Sequence, residues 1–118
     1  GFELIDNKEK EALNSLFDEG GVLFAHGFDG LRKRYHVREF ESELSSYFGS
    51  NQSLCVSSGT AAIKCALAAY DIKAGDEVIV PGFTYISPVE AILRLGATPI
   101  FIDVYKDSGN INTSLIER

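Results

Sequence analysis

The fold is decided around residues 54–69, which read LCVSSGTAAIKCALAA. The short apolar run 54–56 predicts a strand, and the alanine-rich run from about Thr60 to Tyr70 predicts a helix. Between them lies the tetrad Ser57-Ser58-Gly59-Thr60. Because a helix N-terminus carries unpaired N–H groups and a partial positive charge, the tetrad predicts a site for an anion such as phosphate. Serine and threonine are also common N-caps, so a plain helix cap is the alternative here.

Strands and helices alternate after this tetrad. The β-branched run 77–80 predicts a second strand, and 100–104 predicts a third. The apolar residues from Val89 to Leu95 predict a helix between them, with Pro88 in its first turn and Gly96 at its end. A further helix is expected to begin near Asn112. Continuous apolar strands are typical of parallel sheets that are covered on both faces. The order β-α-β-α-β therefore predicts the α/β fold class.

The first 50 residues lack this alternation and predict two helices. Residues 6–9 match a capping box, and the apolar residues after them recur at helical spacing. A second apolar stripe runs from Val37 to Phe48 and ends at Gly49. We therefore expect an N-terminal helical segment over 1–50 and an α/β domain over 51–118.

Composition excludes several classes of function. The chain has 118 residues, a net charge of −6 and 45% hydrophobic residues, which is ordinary for a soluble globular protein and argues against a nucleic-acid or anionic-membrane surface. No apolar run approaches the roughly 20 residues needed to cross a bilayer, and there is no signal peptide. The first residue is Gly1 rather than Met, so we expect the true beginning to be missing.

The residues that most often bind metals or act as nucleophiles are few. Cys55 and Cys65 show neither a metal spacing nor a disulfide framework, and we expect two buried small apolar side chains in a reducing cytoplasm. His26 and His36 are isolated and are expected on surface loops. The basic cluster 32–34 is expected to be solvated surface, with contact to an anionic substrate or partner subunit as the alternative.

Two segments are expected at the carboxyl ends of the strands, where ligands collect in open α/β sheets. The first is Ser57–Thr60, and the second is Pro81–Tyr85, whose Phe83 and Tyr85 offer ring faces that can stack on a planar heterocycle. Packing under the sheet edge is the alternative for each ring. An anion site beside an aromatic platform predicts a flat, phosphorylated cofactor. A generic nucleotide-binding domain is disfavoured because no G-x-G-x-x-G or G-K-[ST] loop is present.

The whole pattern resembles the DegT/DnrJ/EryC1/StrS family of pyridoxal-phosphate-dependent sugar aminotransferases. The family's motifs are a Ser-Gly-Thr phosphate turn, Gly-Asp-Glu-Val, Pro-x-Phe-Thr, and Gly-Ala-x-Pro before a strand that ends in Asp. All occur here in order, at 58–60, 75–78, 81–84, 96–99 and Asp103. The resemblance covers nearly the whole chain from about Gly20.

The resemblance implies a fold and a cofactor site. The fold is the N-terminal part of a fold-type-I PLP-dependent transferase large domain, an α-β-α sandwich, preceded by two helices. Gly59 and Thr60 are implied to hold the phosphate of pyridoxal 5'-phosphate, and Tyr85 to stack on its pyridine ring. Ser58 is implied to support the phosphate turn, as is Thr84. Lys64 lies on the first helix after this turn and is expected to be a solvated lysine rather than the lysine that binds the cofactor.

The resemblance also implies an activity for the full-length protein. That activity is transfer of an amino group from glutamate or glutamine to a nucleotide-linked keto sugar, in polysaccharide or natural-product biosynthesis, by a cytoplasmic homodimer. The cofactor-binding lysine and the aspartate that pairs with the pyridinium nitrogen lie farther along the chain in this family. No catalytic residue is therefore assigned here, and we expect the chain alone to be inactive, with exposed apolar faces that cause association.

Two other functions stay open on the residues. A PLP- or PMP-dependent deoxysugar dehydratase belongs to the same family and differs at the lysine position. A non-catalytic binding module that keeps the fold would also lack the second half of the enzyme. No metal, nucleic-acid or membrane partner is expected for any of the three.

Overall fold

The structure is a computed structural model that describes residues 2–24 and 27–116. Contacts divide the chain into two compact units, Gly1–Cys55 and Val56–Arg118. The predicted division into functional segments at residue 50 stays a prediction.

The first unit contains two α-helices, as predicted. A 3-10 turn at Phe2–Leu4 precedes helix α1, Asn7–Asp18, and helix α2 is His36–Phe48. The capping box is confirmed, since Glu9 Oε2 accepts a hydrogen bond from the N–H of Asp6 at 2.8 Å. At the other end of this unit, Gly49 caps α2 in the left-handed conformation.

Polar side chains of residues 18–39 form a network in the first unit. Arg34 and Glu39 pair at 2.7 Å, and this hydrogen-bonded contact holds the pKa of Glu39 below its usual range and raises that of Arg34. The Tyr35 hydroxyl donates to Asp29 at 2.8 Å, which raises the pKa of Tyr35. Both members of each pair are solvent-accessible, so screening by water keeps these contributions to stability small.

The basic cluster 32–34 makes specific contacts, although two of its side chains are largely exposed as expected. Arg32 donates to the carbonyl of Phe24, and its guanidinium lies 5.0 Å from the centroid of the Tyr35 ring. Lys33 donates to the carbonyl of Asp18 at 3.1 Å.

The prediction that His36 lies on a surface loop is wrong. His36 is the first residue of α2, and its Nε2 lies 2.5 Å from Glu19 Oε2 at the end of α1. The sequence did not indicate this contact, because the two residues are 17 positions apart. His26 lies outside the described residues.

The second unit alternates helices and strands. Its elements are helix α3 (Gly59–Ala69), strand β1 (Glu77–Pro81), helix α4 (Ile86–Arg94), strand β2 (Thr98–Ile102) and a 3-10 turn at Thr113–Leu115. Strand β1 pairs with β2 in parallel, in the register Glu77 to Thr98 through Pro81 to Ile102. The parallel pair joined through a helix confirms the α/β fold class.

Three elements predicted from residue 54 onward are corrected. Residues 54–56 form no strand, because no other strand of the described residues pairs with them and the N–H of Cys55 instead donates to Glu41 Oε1 at 2.8 Å. Strand β2 begins at Thr98 and ends at Ile102, so Asp103 and Val104 follow it. Val104 instead forms an antiparallel bridge with Ile111. The last predicted helix begins at Thr113, as expected, but is a 3-10 turn over the described residues.

The core lies between the two strands and α4. Val80, Ile92 and Ala97 are buried together, and Ala91 is fully buried beside Ile92. Partly buried apolar side chains surround this cluster, namely Leu67, Ile72, Val78 and Val89. Because α4 packs against β1 and β2, the core holds the turn between the end of β1 and the start of α4 in place.

The prediction that both cysteines are buried is wrong. Cys55 is half-buried and Cys65 is exposed, and both thiols are free. Cys65 lies on α3, a helix in which no residue is buried.

The helices within 2–24 and 27–116 are each too short or too polar to cross a membrane.

Candidate functional site

The tetrad at the start of α3 has the geometry of a helix cap. Ser58 is the N-cap, with extended backbone, and its hydroxyl oxygen accepts a hydrogen bond from the N–H of Ala61 at 3.1 Å. The carbonyl of Ser58 accepts from the N–H of Ala62 at 3.0 Å. Ser58 thus caps the helix with both of its oxygen atoms, and its role at a cofactor site stays a prediction.

Capping by Ser58 leaves two backbone N–H groups of the first turn without an acceptor. Within residues 2–24 and 27–116, no acceptor lies in hydrogen-bond range of the N–H of Gly59 or of Thr60. A Cβ atom built on Gly59 would meet no atom within 4 Å, so the space beside this backbone is open. Two adjacent N–H groups at the positive end of a helix dipole form the donor set that phosphate oxygens accept from. The residues present thus fit a phosphorylated cofactor.

The Thr60 side chain connects this turn to the next helix. Its Oγ1 donates to Ser87 Oγ at 3.0 Å, which brings the first turns of α3 and α4 together. Ser87 was not among the site residues predicted from the sequence. Ser87 could have been noticed as a hydroxyl residue next to Pro88, in the first turn of a helix that follows a strand. Its contact with Thr60 could not be predicted, because the two residues are 27 positions apart in sequence.

The aromatic residues predicted at this edge extend into solvent. Tyr85 is the N-cap residue of α4 and makes no side-chain cap hydrogen bond. The rings of Phe83 and Tyr85 are each 77% exposed, so packing under the sheet edge is the wrong alternative for both within this chain. Thr84 between them is also exposed. Tyr85 precedes Ser87 by two residues, which places the ring on the segment that contacts Thr60.

A depression of about 440 Å³ lies beside the same turn. Its charged side chains are Lys64, Glu90 and Arg94, and Arg94 Nη2 pairs with Glu90 Oε1 at 2.6 Å. Lys64 is exposed and has no ion-pair partner in the described ranges, which confirms the prediction of a solvated lysine. The depression therefore carries one uncompensated positive charge, which adds to the attraction that the helix N-terminus exerts on an anion.

Comparison with known proteins gives matches over almost the full chain. A UDP-2-acetamido-2-deoxy-3-oxo-D-glucuronate aminotransferase of Pseudomonas aeruginosa is 35% identical over 98% of this chain and 32% of its own length. The chain spans less than a third of the length of the curated relatives it matches.

Solved structures agree with this relationship. The PLP form of Spr1654 from Streptococcus pneumoniae superimposes with a TM-score of 0.80 and 29% identity, over 94% of this chain and 26% of that one. A GDP-4-keto-6-deoxymannose-3-dehydratase with a trapped PLP-glutamate geminal diamine gives a TM-score of 0.73 and 27% identity, over 92% of this chain and 28% of that one. The predicted fold class, part of the large domain of a fold-type-I PLP-dependent transferase, is confirmed.

Sequence and backbone thus both relate this chain to these proteins. The model of the DegT/DnrJ/EryC1/StrS aminotransferase family matches residues 27–118, and the chain belongs to that family.

Proposed function

We propose that this chain is the N-terminal part of a PLP-dependent aminotransferase that transfers an amino group from glutamate or glutamine to a nucleotide-linked keto sugar. The observation that carries the proposal is the pair of unpartnered N–H groups at Gly59 and Thr60. Support for the substrate comes from the relative in Pseudomonas aeruginosa, whose name describes an aminotransferase of a UDP-linked 3-oxo sugar. The dehydratase with its trapped PLP–glutamate adduct supports glutamate as a reactant.

Each residue of the candidate site has a role in this proposal. Gly59 and Thr60 donate their backbone N–H groups to the cofactor phosphate, and Thr60 adds its hydroxyl. Ser58 keeps the first turn of α3 in place as its N-cap. Tyr85 offers its exposed ring to the pyridine face. When bound, the cofactor would supply an aldehyde group that takes up and returns the amino group, and a pyridine ring that withdraws electrons from it.

The dehydratase is the second candidate, and the matched dehydratase structure favours it. Both activities need the same phosphate turn and the same ring platform, so the residues described here suit either one. The two reactions differ in the fate of the donor nitrogen. An aminotransferase moves it into the sugar, whereas a dehydratase removes a sugar hydroxyl and leaves the nitrogen out of the sugar.

An isotope experiment on the full-length protein separates the two candidates. The protein is incubated with PLP, a nucleotide-linked keto sugar and glutamate or glutamine carrying ¹⁵N at the α-amino group. We expect the label in the sugar product, read by mass spectrometry. A deoxy sugar without ¹⁵N contradicts aminotransfer and supports dehydration, and an unchanged sugar with every tested nucleotide contradicts both.

The phosphate site is tested by Thr60→Val, which keeps the shape of the side chain and removes the hydroxyl. We expect PLP retention to weaken about tenfold to a hundredfold, because a hydrogen bond to a charged group contributes about 1.5–3 kcal/mol. Fluorescence titration of the full-length apoprotein with PLP measures the effect. Thr98→Val is the matched control, since Thr98 begins β2 and its side chain has no part in the proposed site. Equal affinity of the two variants would remove Thr60 from the phosphate site.

Two further properties belong to the same proposal. Both cysteines are free thiols, which suits the reducing cytoplasm in which we place the enzyme. We also propose a homodimer for the full-length protein, by the family resemblance. Light scattering of the purified protein checks the dimer, and a monomeric mass at working concentration would contradict it.

A further inference from the structure

The side chains of Ser87 and Thr60 form a tertiary hydrogen bond between two helix N-termini. Thr60 Oγ1 lies 3.0 Å from Ser87 Oγ, and the contact is partly buried. Neither side chain is needed to cap its own helix. The N-cap of α3 is Ser58, and the N-cap position of α4 is Tyr85. The contact therefore requires an explanation other than helix capping.

We propose that Ser87 is a positioning residue that orients the Thr60 hydroxyl toward the cofactor phosphate, an inference that rests on the proposed function. Ser87 acts through Thr60 and need not touch the cofactor itself. Its role is to select one orientation of the Thr60 side chain and to accept or donate a proton in the hydrogen bond between the two hydroxyl groups.

The hydroxyl groups of Thr60 and Ser87 have enough donors and acceptors to bond each other and the phosphate at the same time. Each hydroxyl has one proton and two acceptor lone pairs. In the structure, the Thr60 hydroxyl donates to Ser87 Oγ. When Thr60 donates its proton to a phosphate oxygen, its own oxygen can accept the proton of Ser87. The two hydroxyl groups then form a continuous donor chain from Ser87 through Thr60 to the phosphate, and both protons are used.

The orientation of Thr60 needs such support because threonine in a helix divides between two χ1 rotamers. Thr60 is the second residue of α3, so no helical turn precedes it whose carbonyl could hold the hydroxyl in one of these rotamers. The hydrogen bond to Ser87 favours a single rotamer before the phosphate binds. This preorganisation reduces the entropy that binding would otherwise lose.

Ser87 is itself held on a rigid element. It lies in the first turn of α4, four and five residues before the buried Ala91 and Ile92. Helix α4 packs on both β1 and β2, and the ring of the neighbouring Pro88 fixes its backbone φ angle in that turn. The position of the Ser87 oxygen is therefore set by the core rather than by the mobile end of a long side chain.

A double-mutant cycle in the full-length protein tests the proposal. The variants are Ser87→Ala, Thr60→Val and their combination, with Ser46→Ala as the matched control, because the Ser46 hydroxyl bonds a backbone carbonyl within α2. PLP affinity is measured by fluorescence titration, and the ³¹P NMR shift of the bound phosphate is recorded for each variant. We expect Ser87→Ala to weaken PLP binding about two- to tenfold, the range of one neutral hydrogen bond. We also expect it to move the ³¹P signal, and to have no further effect in the Thr60→Val background.

Each outcome decides the proposal. An unchanged affinity and ³¹P shift in Ser87→Ala would overturn it, and so would an equal loss in the wild-type and Thr60→Val backgrounds, which would indicate a purely structural role for Ser87. If Ser87→Ala does not fold, Ser87→Thr keeps the hydroxyl and is expected to retain both readouts; a changed ³¹P shift there overturns the proposal. A wild-type protein that takes up no PLP would overturn the proposed function and this inference together, and the other failures leave the proposed function intact.

Discussion

The two units of the chain use similar helices but differ in what the helices pack against. All four hydrophobic side chains that are buried in the described ranges lie in the second unit, at Val80, Ala91, Ile92 and Ala97. Neither α1 nor α2 buries a single residue in the first unit. Residues 18–39 of that unit are connected instead by ion pairs and hydrogen bonds at the surface.

This difference shows what an amphipathic pattern does and does not predict. The apolar stripe of α1 has helical spacing, and α1 is a helix, yet its Leu13 and Phe17 are 62% and 67% exposed. The pattern indicates that a helix has a face that favours burial. It carries no information on which element covers that face. The exposed apolar faces expected from the sequence are confirmed in this unit, and the association that we expect from them stays a prediction.

The largest effect should come from the core of the second unit. Ile92→Ala removes a side chain that is 2% exposed, and we expect the free energy of unfolding to fall by about 2–5 kcal/mol. Leu93→Ala is the matched control on the same helix, since Leu93 is 57% exposed, and it should cost about 0.5 kcal/mol or less. Denaturant unfolding followed by circular dichroism measures both. Equal losses would mean that the core is not where we place it.

A smaller effect is expected at the turn between α4 and β2. Gly96 has a φ of 77°, and a Cβ atom there would lie 3.1 Å from Ala74 Cβ. Gly96→Ala should therefore cost about 1–2 kcal/mol, from left-handed backbone strain and this close contact. Gly30→Ala in the first unit is the comparison, because Gly30 has no positive φ and no atom within 4 Å of the added methyl group. If thermal unfolding of the two variants shifts equally, the backbone of Gly96 is not as described.

The smallest effect should come from the surface pair of Arg34 and Glu39. The pKa of Glu39 is lower in the folded chain than in the unfolded one, because Arg34 donates hydrogen bonds to its carboxylate. The pair thus contributes stability that is fully present above the unfolded pKa and is lost as the pH falls through the folded pKa. Arg34→Gln should raise the pKa of Glu39, measured by NMR titration of its carboxyl group.

Lys33→Gln is the control for this titration, since Lys33 donates to the carbonyl of Asp18 and not to Glu39. It should leave the pKa of Glu39 where it is in the wild type. A pKa of Glu39 that stays low in Arg34→Gln would show that another group holds it.

Local rules predicted most of the helices and their ends. The capping box at Asp6 and the glycine stop at Gly96 depend on neighbours in sequence, and the structure has both. The prediction of a strand at 54–56 was wrong because a strand depends on residues that are distant in sequence. A strand exists only where another strand supplies its hydrogen bonds, and no described strand lies beside Cys55. The prediction that Cys65 is buried was wrong for a similar reason, because burial needs another element that covers the side chain, and Cys65 is exposed.

In the candidate site, too, the local features could be predicted from the sequence, and the contacts between distant residues could not. The Ser-Gly-Thr turn is contiguous, so its place at the start of α3 followed from sequence. The contact of Thr60 with Ser87 joins residues on two helices and became visible only once the packing of α3 and α4 was known. The cofactor roles of Ser58, Gly59, Thr60 and Tyr85 remain predictions that the experiments above address.

The register of the parallel pair has a consequence for how this chain is made. Each residue of β1 pairs with the residue 21 positions later, as Glu77 does with Thr98. Closing so short a loop costs little chain entropy, and α4 fills it with local hydrogen bonds. We therefore expect β1, α4 and β2 to fold while the ribosome is still adding residues, at roughly 5–20 residues per second. The segment that carries Tyr85 and Ser87 would then be in place early.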